Sequence, residues 1–126
     1  MRVLVRTVAG TFAVDLDDED VTGTDETVTP RRLDVDLPLV VTAAAVGSTV
    51  VAIVDRRPPL VISHDAGTTW REAGGGLPPG RAVAIDENAP DRIVYAARNR
   101  LYVSEDGGRF WRALVPELPE IDAVSF

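Results

Sequence analysis

Ser63-His64-Asp65-Ala66-Gly67-Thr68-Thr69-Trp70 returns 41 residues later as Ser104-Glu105-Asp106-Gly107-Gly108-Arg109-Phe110-Trp111. Both stretches read Ser-x-Asp-x-Gly-x-x-Trp, and each fixed position has a physical use. Serine and aspartate side chains bond nearby backbone N–H groups and hold a tight turn. The glycine takes up the positive φ that a side chain resists. The tryptophan brings the chain back into a packed interior with a large apolar surface. Four fixed positions in eight, met twice at one interval, indicate a repeat architecture.

The same interval governs the flanking sequence. Leu37-Pro38, Leu77-Pro78 and Leu118-Pro119 each precede a short apolar run, at Val40 to Val46, Ala82 to Ile85 and Ala123 to Phe126. Such runs suit a buried inner strand, their alanines allowing close approach. Second strands are expected at Val50 to Val54 and Arg92 to Ala97, third strands at Leu60 to Ser63 and Leu101 to Ser104. Fourth strands start near Trp70 and Trp111. Upstream, Arg2 to Val8 and Thr11 to Leu16 alternate as strands do. Asp15 to Asp20 then stands where another turn belongs, keeping an aspartate but lacking the glycine and tryptophan. For this degenerate first repeat the fourth strand is expected within Thr27 to Asp36, interrupted by Pro30. No segment carries a helical period.

The eight-residue pattern resembles the Asp-box, or BNR repeat, of sialidases, sortilin-like receptors and photosystem assembly factors. That resemblance implies an all-β fold, a β-propeller, in which each box joins the third and fourth strands of a blade. Ser63, Asp65, Gly67, Trp70, Ser104, Asp106, Gly108 and Trp111 are then structural box residues. Three four-stranded blades follow: residues 1–36 with a C-terminal strand at 121–126, residues 37–76 and residues 77–117. Closed propellers need about 4–8 blades, and three in one arc leave strand edges unpaired. The expected remedy is a six-bladed homodimer in which each C-terminal strand (Ile121 to Phe126) is exchanged, completing the partner's first blade. A fragment and another oligomer are the alternatives.

Composition bounds the rest. A chain of 126 residues fits one domain. With no cysteine, disulfides, thiolate zinc sites and cysteine nucleophiles are excluded. The sequence shows neither a membrane-length apolar run nor a signal-peptide layout, which leads to the expectation of a cytoplasmic protein without membrane partners. The formal charge is −7, and all 13 basic residues are arginine. An acidic, lysine-free chain suits a halophilic source and resembles small β-propeller proteins of haloarchaea; GC-rich codons are the other explanation. This charge balance argues against a dedicated nucleic-acid binder.

Candidate sites are few. Arg6, Arg56, Arg57, Arg98 and Arg100 are expected at the loops between second and third strands, on the face away from the boxes. They could bind a small anionic ligand or an acidic protein segment. Sialidases hold their substrate's carboxylate with arginines on the corresponding face; the competing reading is local pairing, as of Asp55 with Arg56. Asp15, Asp17, Glu19 and Glu26 approach the spacing of a calcium loop, but Asp20 stands where its glycine belongs, so a solvated acidic loop is expected. His64 occupies a free position in a turn. A glycoside hydrolase needs paired carboxylates or an activated tyrosine, and Tyr95 and Tyr102 fall on strands where packing explains them. The sequence thus points to a non-catalytic scaffold or protein-interaction module, without metal or cofactor. The alternative is a propeller binding an anion or glycan. Exposed tryptophans favour a lectin, buried ones a protein partner.

Overall fold

Alternation of apolar and polar side chains over short stretches makes half-buried strands, and this chain uses nothing else. The computed structural model describes residues 1–126 and contains twelve strands. They are β1 (Arg2–Thr7), β2 (Gly10–Asp15), β3 (Val21–Thr24), β4 (Val40–Val46), β5 (Thr49–Val54) and β6 (Leu60–Ser63). The remainder are β7 (Arg71–Ala73), β8 (Ala82–Asp86), β9 (Ala89–Ala96), β10 (Leu101–Ser104), β11 (Arg112–Ala113) and β12 (Ile121–Ser125). No helix is long and apolar enough to cross a membrane.

The strands make three four-stranded antiparallel sheets. The first is ordered β12-β1-β2-β3, the second β4-β5-β6-β7 and the third β8-β9-β10-β11. Strands β4, β8 and β12 come together at the centre, with β8 between the other two. This all-β arrangement fits a β-propeller-like class.

Within the chain the C-terminal strand β12 pairs with β1, Leu4 opposite Ser125 and Val5 opposite Val124. The segment before it is tied down, since Leu118 N–H donates to the Asn99 carbonyl and Ile121 N–H to that of Arg98. The fourth strand of the first sheet is Val21–Thr24, not a stretch within Thr27 to Asp36. Asp15 explains the shift. Its Oδ1 accepts from the N–H groups of Asp17 (2.9 Å) and Asp18 (2.8 Å), and its own N–H donates to the Asp20 carbonyl, turning the chain back at once.

The freed segment becomes a strap. Thr29 N–H donates to Ser125 Oγ (3.2 Å) beside the first sheet, while Leu33 N–H donates to the Ala43 carbonyl (3.0 Å) on β4. Val35 and Leu37 then pack with Ala43, Ala52, Val54 and Val61, on the face of the second sheet that the third sheet does not cover. One connection therefore touches both outlying sheets.

Sheet-to-sheet packing is tight enough to dictate glycine. Gly108 has a φ of +91°, and a Cβ there would run into Ile62 Cδ1 of the second sheet. Gly108→Ala is expected to cost about 1–3 kcal/mol in urea denaturation, from overpacking and backbone strain together. The cost should shrink in an Ile62→Val background, which lacks Cδ1, but should not vanish because the φ strain remains. An equal cost in both backgrounds would refute the contact.

Candidate functional site

The paired turns consume their polar groups internally. In the first, Ser63 Oγ donates to Asp65 Oδ1 (2.7 Å) and accepts from Gly67 N–H (2.8 Å). Asp65 also accepts from the Thr69 N–H (2.8 Å) and from the Thr69 hydroxyl (2.5 Å). The second turn repeats the scheme. Ser104 Oγ donates to Asp106 Oδ1 (2.8 Å) and accepts from Gly108 N–H (2.9 Å), and the Arg109 and Phe110 N–H groups complete the carboxylate's shell. Donors aimed at a carboxylate favour its ionised form. The Thr69 hydroxyl, with help from the Thr69 N–H and Ser63, lowers the Asp65 carboxyl from 3.8 to about 2. The Phe110 N–H and Ser104 hydroxyl lower Asp106, and the Asp18 and Asp17 N–H groups lower Asp15.

Each tryptophan is followed by an arginine that clamps the next sheet. Arg71 Nη2 donates to the Gly107 carbonyl (2.6 Å), and Arg112 Nη2 to that of Leu16 (2.9 Å). Both acceptors directly follow the aspartate of a turn, so the degenerate turn at Asp15 is engaged like its better-formed counterpart. Trp70 packs with the apolar cluster under the strap, whereas Trp111 packs between the second and third sheets. Both are half-buried.

The five arginines singled out in the sequence are mostly engaged. Arg6 Nε pairs with Asp122 (2.8 Å), Arg56 with Glu72 (3.2 Å) and Arg100 with Glu117 (3.0 Å). Arg98 lies 3.9 Å from Glu120, which is held more closely by Arg81 (2.6 Å). Arg57 is exposed and has no ion pair. Arg56 thus chooses Glu72 rather than Asp55, and Arg6 sits within β1 rather than in a loop. The Arg81 guanidinium also lowers the Glu120 carboxyl.

Other candidates disperse. The carboxylates of the acidic loop serve different donors: Asp17 the N-terminal amine, Glu19 the Val115 N–H, Glu26 the Arg2 guanidinium. Tyr95 is fully buried, its hydroxyl donating to the Pro78 carbonyl (2.6 Å), and burial raises its pKa. Its ring meets Tyr102 and Trp111 edge-on, at 6.2 and 6.0 Å between centroids. Exposed His64 has Nδ1 3.5 Å from Thr49 Oγ1.

Sequence reasoning missed the cleft that the strap creates. Of about 700 Å³, it is bounded by residues 30–43 and the first halves of β8 and β12. Leu33, Leu39 and Val41 stand at its edge, 42 %, 59 % and 52 % exposed. Arg32 and Asp34 flank Leu33, exposed and without an ion pair or a backbone hydrogen bond. A smaller cavity of about 210 Å³ lies beside the second halves of the central strands, bordered by Thr29 and Arg31. Alternation over Leu33-Asp34-Val35-Asp36-Leu37 was the available signal; it shows an extended segment but not its neighbour.

No protein-family model matches this chain, and no curated protein matches its sequence.

Because the turn aspartates have lowered pKa values in the fold, their stabilisation is complete above the unfolded value near 3.8 and is lost as pH falls towards about 2. Urea titrations between about pH 5 and pH 2 should show stability falling through this window. Asp65→Asn should be less stable at neutral pH and have a flatter acid limb, because the amide side chain takes up no proton over this range. Parallel limbs for the two proteins would contradict the assignment.

Proposed function

We propose that this chain is a non-catalytic β-propeller-type interaction module, and that its first partner is a second copy of itself. The observation carrying this reading is the gathering of exposed Leu33, Leu39 and Val41 round one cleft. Contiguous exposed apolar surface, rimmed by polar groups, is characteristic of interaction sites. Two copies bring six four-stranded sheets into one assembly, a number within the range of closed propellers. Each copy keeps its own C-terminal strand.

The placement of the aromatic residues supports a protein partner over the alternatives. Trp70 and Trp111 are spent in packing, which weighs against a lectin that stacks sugars on them. The Tyr95 hydroxyl is spent on Pro78. An anion on the arginine-bearing face would have to compete with Asp122, Glu72, Glu120 and Glu117.

Sedimentation equilibrium tests the reading. At physiological ionic strength, and again in concentrated salt that screens repulsion between two chains of charge −7, the expected mass is twice 13.5 kDa. A single-chain mass in both solvents would overturn self-association.

A further inference from the structure

We infer that the strap is the contact itself: two copies pair antiparallel through residues 31–35, about a two-fold axis passing beside Leu33. This inference rests on the self-association proposed above and names the surface responsible.

The backbone supplies the first argument. Leu33 N–H points at β4, where it donates to the Ala43 carbonyl. In an extended chain, the N–H and C=O of neighbouring residues point to opposite sides. The backbone groups of Arg32 and Asp34 therefore face away from β4, and neither residue makes a backbone hydrogen bond within the chain. The strap thus offers a short free edge, and a free edge is a template for another strand.

The side chains supply the second argument. Antiparallel pairing with residue 33 opposite its own counterpart sets position 32 against position 34 of the other copy, twice over. Arg32 then meets Asp34 of the second copy, and Asp34 meets Arg32. Both side chains are exposed and neither has an ion pair within its own chain, in contrast with neighbouring Arg31, which pairs with Glu87. Opposite charges directly across a strand pair attract, and like charges repel. The sequence Arg-Leu-Asp is therefore complementary to itself in this register, whereas a shift by two that sets Arg32 against Asp36 also puts Asp34 against Asp34. On the other face of the paired edges, Leu33 meets its own counterpart, with exposed Leu39 and Val41 adding apolar surface nearby. A two-fold contact of this kind closes at two copies.

Charge reversal reads the register directly. In Arg32→Asp, both cross-strand contacts become carboxylate pairs; in Asp34→Arg, both become guanidinium pairs. Each single variant should raise the dimer dissociation constant by roughly tenfold or more at physiological ionic strength, as loss of a close charge pair does. The double variant Arg32→Asp/Asp34→Arg restores both pairs with their signs exchanged, and should return to within about threefold of the starting protein. Circular dichroism of every variant checks that the sheets are intact, since neither side chain has a partner within the fold. Dimeric single variants would overturn the strap contact while leaving self-association standing. A double variant as weak as the singles would overturn it too. A wild-type protein that sediments as one chain would remove both readings together.

Discussion

Along β8 and β9, successive side chains part company. Ala82, Ala84, Val94 and Ala96 enter the core shared with the first sheet, while Val83, Ile85, Ile93 and Tyr95 enter the core shared with the second. A sheet buried on both faces must be apolar at nearly every position, and all five residues of β8 are buried. The third sheet is thus the wall against which both others form. Without its two apolar faces the chain would hold two unrelated hairpin stacks, each too small to bury a core of its own.

The two outer sheets inherit an asymmetric problem. Each turns one face to the third sheet and keeps another that the repeat alone leaves open. The second sheet's open face carries Ala43, Ala52, Val54 and Val61, and the strap supplies Val35 and Leu37 to cover them. The first sheet's open face is more polar: Arg2 and Arg6 alternate with Leu4 along β1, and their charges are taken up by Glu26 and Asp122. The segment after β3 is therefore less a linker than a substitute for a missing neighbour. It does this with little regular structure: backbone bonds to Ala43 and Ser125, the Arg31–Glu87 ion pair and two apolar side chains hold the extended chain.

What could be read beforehand followed from chemistry local in sequence. The turn pattern placed both pairs of third and fourth strands, since the Ser–Asp–Gly bonds close within five residues of one another. Apolar runs after each Leu-Pro located the central strands for the same reason. Apart from the early β3, which the local Asp15 turn brings back at once, the failures concern partners distant in sequence. Nothing in Ile121 to Phe126 states which strand it will join, and its pairing with β1 spans almost the whole chain. Alternation over residues 33–37 was visible, yet period two is silent about which edge an extended segment lies along. Arg56, Arg57, Arg98 and Arg100 fall in the expected loops and Arg6 does not; pairing of Arg56 with Glu72 or Arg98 with Glu120 depends on side chains brought close by folding.

The same distinction bears on where function can reside. A turn whose serine, aspartate and tryptophan all bond or pack inward has few free groups with which to bind anything else, however conspicuous its residues. The clamps from Arg71 and Arg112 add to this, since they join the turns to neighbouring sheets and use charged groups that would otherwise be available. Repetition optimises packing between like units, so a distinctive surface must arise where the repeat breaks. Here it breaks between Asp25 and Leu39, the one stretch long enough to leave its own sheet, cross to another and still present Arg32, Leu33 and Asp34 outward. Ordinary surface positions in so acidic a chain would be expected to repel a second copy; a segment carrying both signs beside an apolar residue can attract one.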